Sequence, residues 1–244
     1  GMSGGPALNE AGEVVGVNAA RVGEQIGFLV PVEFLAAMLA RRDDARWQSL
    51  ALAERIAEAL REDQERYFAR LLAEPWDTQP LGDFRVPARP SATLTCWGGS
   101  SDDEALRFRQ VFQECGTEDS IFIDEGLQTG SLQYAFHHFA SGGLNLLQFY
   151  GLLAAHYQHG AEFNAADEEH VGNFRCREDF VAARGLDWRV SFCARRYRRF
   201  AGLLDVSVVM ASTGLPRSGL VAQLGLSGVS EARATELLQR FLEV

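Results

Sequence analysis

Short strand-forming segments that follow one another with brief connections restrict the C-terminal part of the chain to a largely antiparallel sheet. Runs of β-branched and aromatic residues predict strands, and turn-forming residues separate these runs. The predicted strands cover residues 91–97, 105–113, 120–124, 131–139, 173–183, 187–197 and 203–212. Helices are predicted at 144–157 and 230–244, with Ser230 as a candidate N-cap. We therefore expect an α+β arrangement with a mainly antiparallel sheet.

Three regions of different character divide the 244 residues. Residues 1–40 contain two apolar β-branched runs, 14–18 and 26–32, which predict a hairpin followed by a short helical stretch. Residues 41–75 form a helical linker, in which apolar residues recur at three- and four-residue steps until a proline ends the pattern. We expect this helix to dock on a domain. Residues 76–244, which begin with closely spaced prolines, form the α+β domain, whose role the sequence leaves open.

Composition and charge argue against several classes of partner. Apolar residues make up 47% of the chain, which is enough for a sizeable core. There are 23 basic and 33 acidic residues, and the resulting formal charge of −10 disfavours nucleic acid or an anionic membrane as the main partner. No apolar run reaches the roughly 18 uncharged residues that a membrane-spanning helix needs.

The four cysteines fall into two pairs of sequence neighbours. No Cys-x-x-Cys motif suggests a zinc site or a redox centre. We expect disulfides between Cys96 and Cys115 and between Cys176 and Cys193, since each closes a loop of about twenty residues. Four buried free thiols are the alternative. Disulfides would indicate a periplasmic or secreted protein.

A glycine-rich turn with a serine at its centre, Gly1-Met2-Ser3-Gly4-Gly5-Pro6, opens the chain. Glycines allow the tight backbone that projects a serine oxygen while backbone N–H groups converge on a developing oxyanion. A polar turn, an apolar strand, a second strand and a short helix follow, up to about residue 40. This stretch resembles the nucleophile turn and the end of the second barrel of trypsin-like serine proteases, in their bacterial HtrA-type branch.

The resemblance implies roles for five residues. Ser3 would be the nucleophile, and the backbone amides of Gly1 and Ser3 would form the oxyanion hole. Gly27, Phe28 and Leu29 match the strand that pairs with the substrate backbone and lines one wall of the specificity pocket. The expected fold of residues 1–40 is therefore the C-terminal part of an all-β trypsin-like double barrel.

Three departures from the family pattern change this expectation. Met2 replaces the aspartate that captures a freshly cut N-terminus, so activation by that ion pair is excluded. The histidine and aspartate of the triad precede the serine in this fold, so we expect a C-terminal fragment that is inert alone. The C-terminal part also lacks the carboxylate-binding loop of a PDZ domain, which puts regulation by peptide capture in doubt.

Histidines and arginines further along the chain suggest weaker sites. His137 and His138 are adjacent in a predicted strand and should point to opposite faces, which favours structural roles over a substitute catalytic base. His156 and His159 could join Glu162 and residues 167–170 in a metal site, but a solvated helix end is the simpler interpretation. The basic cluster Arg195, Arg196, Arg198 and Arg199 sits in a strand whose alternation sends charges to both faces.

The sequence therefore favours a serine endopeptidase that acts on a protein or peptide substrate and needs no metal or cofactor. The reaction would be acyl transfer to Ser3, followed by hydrolysis of the acyl-enzyme by water. The alternative is a non-enzymatic module in which residues 76–244 bind a partner or a protein substrate.

Overall fold

The computed structural model describes residues 4–22, 26–101, 106–118, 120–158 and 166–243, and the chain divides into two compact units, Gly1–Arg55 and Ile56–Val244. The elements of the first unit are β1 (Pro6–Leu8), β2 (Val14–Val22), β3 (Ile26–Pro31), α1 (Val32–Ala40) and α2 (Ala45–Gln48). Helix α3 (Leu52–Ala73) begins at the end of this unit and continues into the second.

The first unit is built on an antiparallel sheet with the strand order β1-β2-β3. The Asn9 side chain shapes the turn between β1 and β2, because its Oδ1 accepts hydrogen bonds from the N–H groups of Ala11 and Glu13. Pro31 ends β3 and directly precedes the first residue of α1. The predicted hairpin and the helix after it are thus confirmed. No closed barrel is formed by the described residues.

The second unit contains most of the regular structure. After α3, its elements are β4 (Thr78–Leu81), β5 (Phe84–Pro87), β6 (Leu94–Ser101), β7 (Phe108–Thr117), β8 (Ile121–Asp124), β9 (Leu127–Thr129), β10 (Leu132–Ser141), α4 (Leu146–Gln158), β11 (Arg175–Ala183), β12 (Leu186–Arg196), β13 (Leu204–Thr213), β14 (Ser218–Val229) and α5 (Glu231–Glu243). Ser230 is the N-cap of α5, since its Oγ accepts the N–H of Arg233. Among the described residues, no helix is both long and apolar enough to cross a membrane.

Within the described ranges, seven strands form one antiparallel sheet in the order β11-β12-β13-β14-β10-β7-β6. Helix α4 packs on one face, where Phe149, Leu153 and Tyr157 meet Phe139 and Val221. Helices α3 and α5 and the β4–β5 hairpin cover the opposite face, and their buried apolar residues form the larger core with the inward side chains of the strands. The expected α+β arrangement with a mainly antiparallel sheet is confirmed.

Helix α3 belongs to the core of the second unit from Ile56 onward. Its buried residues, Ala57, Leu60, Gln64, Phe68 and Leu71, recur at three- and four-residue steps, as an amphipathic helix requires. The helix ends at Ala73, ahead of the proline that was predicted to stop it. The indole N–H of Trp76 donates to the Leu71 carbonyl and so satisfies one of the free acceptors at the helix end.

The two predicted disulfides are both present, Cys96–Cys115 and Cys176–Cys193. Each joins residues that lie directly opposite one another on neighbouring antiparallel strands, with Cα atoms 4.1 and 4.0 Å apart. The first connects edge strand β6 to β7, and the second connects the other edge strand, β11, to β12. Both edges of the sheet are therefore covalently attached to their inner neighbours.

Strand β14 and the β4–β5 hairpin are among the elements that were not predicted from the sequence. Strand β14, in the interior of the sheet, contains glycines that weaken a strand pattern. The folded structure requires glycine at two of these positions. A Cβ at Gly219 would lie 2.7 Å from Leu153 Cδ1 of α4, and Gly228 has a φ of +68°. The β4–β5 hairpin was interpreted as part of a proline-bearing lead-in. Prolines are tolerated there because this two-stranded sheet is separate from the large one.

Candidate ligand cavity

The residues predicted for a serine protease site lie in the first unit. Ser3 and Gly1 fall outside the described residues. Gly27, Phe28 and Leu29 lie in β3. The Phe28 and Leu29 side chains are 52% and 46% exposed.

The described end of the glycine turn is bonded to β2. Gly4 has a φ of +83°, a conformation that side chains disfavour. Its N–H donates to the Asn18 carbonyl at 2.8 Å, and the Asn18 N–H donates to the Gly5 carbonyl at 2.9 Å. Asn18 also pairs with Leu29 on the other side of β2. The turn and the predicted substrate strand thus flank the same residue.

A cavity of about 540 Å³ opens in the second unit. It lies between the β4–β5 hairpin, the sheet face beneath it, the β11–β12 turn and the end of α5. Its walls are mainly apolar and include Phe136, Trp188, Met210, Leu220, Ala222 and Phe241. Three exposed charged residues, Asp83, Arg85 and Arg184, also line it and therefore stand at its opening. A concave apolar site with a few polar groups is typical of small-molecule binding.

Asp83, Ser218 and His138 form a hydrogen-bonded group, here called the hairpin clamp, beside this cavity. The Ser218 hydroxyl donates to Asp83 Oδ2 at 2.6 Å. His138 Nε2 lies 3.1 Å from Ser218 Oγ and 3.5 Å from Asp83 Oδ2. Since Asp83 is in the β4–β5 turn and the other two residues are in β10 and β14, the clamp fastens the hairpin to the sheet.

The clamp contains the three residue types of a catalytic triad in a different arrangement. In a triad the histidine accepts the serine proton, and the carboxylate holds the other ring nitrogen. Here the serine hydroxyl points to the carboxylate, and His138 Nδ1 is buried with no hydrogen-bond partner among the described residues. Burial lowers the pKa of His138, and the hydrogen bond from Ser218 lowers the pKa of Asp83. This geometry supports a structural role, in which the clamp holds the β4–β5 hairpin on the sheet.

Gly82 allows the hairpin clamp to form. It has a φ of +59°, and a Cβ added to it would lie 2.0 Å from His138 Nδ1. The turn therefore needs glycine both for its backbone conformation and for the close approach of the imidazole. Phe84, on the other side of the turn, contacts the same ring edge to face, with centroids 5.6 Å apart.

Comparison of the chain with models of protein families gives no match, and comparison with curated proteins gives none either.

The remaining histidines have structural surroundings. His137 lies on the opposite sheet face from His138, as predicted, and stacks on Phe112 with centroids 5.8 Å apart. Its pKa is lowered by burial. His156 is bonded through Nδ1 to the Leu152 carbonyl, one turn earlier in α4, while His159 and Glu162 fall outside the described residues. In the parts of the chain that are described, no group of three or more residues is arranged to hold a metal ion.

His170 links two separate segments of the chain. Its Nδ1 is 2.7 Å from Asp167 Oδ1 and its Nε2 is 2.9 Å from Asp124 Oδ2, and its side chain is only 6% exposed. The hydrogen bond to Asp167 is the main cause of the raised pKa of His170, and the bond to Asp124 adds to it. The same contact lowers the pKa of Asp167. The arrangement favours a charged imidazolium that joins the β8–β9 hairpin to the segment before β11.

Two arginines of the predicted basic cluster, Arg195 and Arg198, make structural contacts. Arg195 Nε donates to Asp205 Oδ2 at 2.7 Å, and Asp205 is fully buried. The Tyr197 hydroxyl donates to Asp205 Oδ1 at 2.8 Å, and burial raises the pKa of Tyr197. Arg198 Nε donates to the Val171 carbonyl. These bonds compensate a buried carboxylate and attach the loop after β12 to the sheet.

Sequence reasoning did not find the cavity. Its lining comes from β5, β10, β11, β12, β13, β14, α5 and the turns between strands, and no local motif joins these residues. The available signal was the glycine-containing connection of residues 184–186 between two predicted strands, because a short connection with a glycine favours a hairpin turn.

Proposed function

We propose that this chain is the C-terminal part of a trypsin-like serine endopeptidase, in which residues 56–243 form a non-catalytic module that binds an apolar ligand. The apolar cavity beneath the β4–β5 hairpin carries the second part of the proposal. Ser3 would be the nucleophile of the complete enzyme, and the module would bind a ligand, partner or substrate group that influences the protease.

The exposed apolar residues of the first unit support the protease part. Gly16 is the only buried residue among those of the unit whose burial is described. The large exposed apolar side chains are Leu8, Val14, Val15, Phe28, Leu29, Val30, Phe34, Met38, Leu39 and Leu52. A small sheet with so much exposed apolar surface is not self-sufficient, so it fits a segment of a larger β domain.

The chemistry of the cavity supports the module part. Its apolar walls belong to the main core of the second unit, which fixes their positions independently of any ligand. The neighbouring clamp satisfies its serine and carboxylate within the protein and leaves no activated nucleophile. Binding therefore accounts for this site better than catalysis does.

Active-site labelling with a fluorophosphonate tests the protease part. The triad histidine and aspartate precede the serine in this family, so we expect no stoichiometric labelling of residues 1–244 produced alone. The protein produced from its whole gene should be labelled, and Ser3→Ala should abolish the labelling. An unlabelled whole protein would refute the protease proposal.

Binding of the uncharged dye N-phenyl-1-naphthylamine tests the module part. The whole chain should enhance its fluorescence, and Ala222→Phe, which fills the cavity, should remove most of the signal. Phe34→Ala is the matched control, since it removes an exposed apolar side chain of the first unit and leaves the cavity intact. Equal dye binding by the parent chain and the Ala222→Phe variant would refute a ligand site in the cavity.

A further inference from the structure

We propose that the ligand of the cavity is a small amphiphile with an apolar chain and a carboxylate head, and that Arg184 binds the head. This inference rests on the proposed binding function of the same cavity and names the class of molecule that it takes.

The deep walls of the cavity are apolar. Phe136, Trp188, Met210, Leu220 and Ala222 line it, and all of them are less than 9% exposed. A buried polar group placed among them would lose its hydrogen bonds to water without replacement. The part of the ligand that enters must therefore be hydrocarbon or aromatic.

The charges at the opening determine the sign of the head group. The Asp83 carboxylate accepts a hydrogen bond from the Ser218 hydroxyl and lies near His138 Nε2, so it already has partners within the hairpin clamp. Arg85 donates through Nε and Nη2 to the hydroxyl and carbonyl oxygens of Thr78, both at 2.9 Å. Among the described lining residues, Arg184 is the charged side chain for which the structure records no hydrogen bond or ion pair. The unused charge at the opening is positive.

The backbone of Arg184 provides a second observation. Arg184 and Gly185 connect β11 to β12 with φ values of +55° and +74°, and Ala183 pairs with Leu186 across the turn. Turns with two positive φ values favour Asn-Gly or Gly-Gly, and a left-handed conformation costs a residue with a Cβ roughly 1–2 kcal/mol. An arginine is thus held in an unfavourable conformation at the edge of an apolar cavity. Such strain is concentrated at ligand sites.

A guanidinium pairs best with a planar anion that accepts two parallel hydrogen bonds, which a carboxylate does. A peptide strand is a poorer occupant, because the β5 wall has only four residues and ends at Pro87, which has no N–H to donate. Its partner strand β4 contains Pro80, opposite Arg85. The site can therefore offer few backbone hydrogen bonds to an extended chain.

Titration calorimetry of the whole chain tests the inference. The three ligands are decanoate, decanol and decylammonium, each with ten carbons and each used below the concentration at which it forms micelles. Decanoate should bind about tenfold more tightly than decanol, as one charge-assisted hydrogen-bonded pair would provide. Arg184→Gln should remove this preference, and Arg184→Lys should restore part of it. Arg177→Gln, on the exposed edge strand β11 and outside the cavity lining, should change nothing.

The outcomes separate the two proposals. If no ligand binds, or if Leu215→Trp at the cavity leaves every affinity unchanged, the proposed binding function is wrong. If decanol or decylammonium binds as tightly as decanoate, or if Arg184→Gln keeps the preference, the cavity remains a ligand site and the carboxylate assignment is wrong. A hexapeptide ending in leucine also has an apolar side chain and a terminal carboxylate. If this peptide bound more tightly than decanoate, the occupant would be the C-terminus of a polypeptide, and the proposal of a small amphiphile would be wrong.

Discussion

At the scale of single residues, two glycines allow distant parts of the chain to come into close contact. Gly82 lets the β4–β5 turn approach His138, and Gly219 lets β14 approach α4. In both places the missing side chain is needed because a partner from a distant part of the chain occupies the space. The two glycines are therefore explained by packing, whereas Gly4 and Gly214 are required by their positive φ values alone.

Gly82→Ala should destabilise the protein more than Gly214→Ala does. Both glycines have positive φ, so each substitution carries roughly 1–2 kcal/mol of backbone strain. A Cβ at Gly214 meets nothing within 4 Å, whereas one at Gly82 overlaps the His138 ring. We expect an additional cost of about 1–3 kcal/mol for Gly82→Ala, measured by urea unfolding at equilibrium. Equal costs for the two variants would show that the turn moves away from His138 freely.

The His170 contact should make stability fall as pH rises. The pKa of His170 is raised in the folded protein, so its stabilisation is fully present below the unfolded value of about 6.5 and is lost as pH passes the folded value. The free energy of unfolding should therefore decrease as the pH rises above about 6.5 through this group, and His170→Asn should remove that component. His137→Asn is the control, because the pKa of His137 is lowered and its contribution has the opposite sign. A pH dependence identical in the parent and His170→Asn proteins would contradict the assignment.

At the scale of elements, disulfides attach the edge strands of the large sheet to their neighbours, and helices cover its two faces. Edge strands expose unpaired backbone groups and are the sites where sheets pair wrongly. Strand β11 has no buried residue, yet Cys176 holds it to β12, and Cys96 holds the opposite edge strand β6 to β7. The disulfides thus compensate for the small amount of packing at the edges.

Removing one disulfide should loosen one edge of the sheet and leave the other intact. The loops span 19 and 17 residues, so each bond should contribute about 3 kcal/mol, mainly by constraining the unfolded chain. In the Cys176→Ser/Cys193→Ser variant, amide hydrogen exchange should accelerate in β11, with β6 unchanged. The Cys96→Ser/Cys115→Ser variant should show the reverse. Alkylation of four cysteines in the unreduced parent protein would contradict both bonds.

At the scale of the whole molecule, the two units differ in how much of their apolar surface they bury. The second unit has its own core, to which α3 contributes Phe68 and Leu71, each no more than 2% exposed. The first unit buries almost none of its described apolar side chains. Their stabilities should therefore be independent and unequal.

A shortened chain that begins at Leu52 should keep a cooperative thermal transition, because it contains the entire core of the second unit. A chain that begins at Pro75 lacks the core side chains of α3 and should lose several kcal/mol, since each large buried side chain contributes about 2–5 kcal/mol. Melting curves and sedimentation of both chains measure this. A Leu52 chain that aggregates would show that the first unit is part of the same cooperative core.

The amino-acid sequence alone determined the features that depend on neighbouring residues. Runs of β-branched and aromatic residues predicted the strands from β6 to β13 other than the three-residue β9, and apolar periodicity predicted α3. The helix α4 was also predicted, Ser230 predicted the start of α5, and proximity in the sequence predicted both disulfides. These signals are short-range, so they can be detected along the chain. The cavity, the hairpin clamp and the interior position of β14 were decided only by the tertiary structure. They join residues as far apart as Asp83 and Ser218, and whether a glycine or a proline weakens a strand or permits a close contact depends on what packs against it.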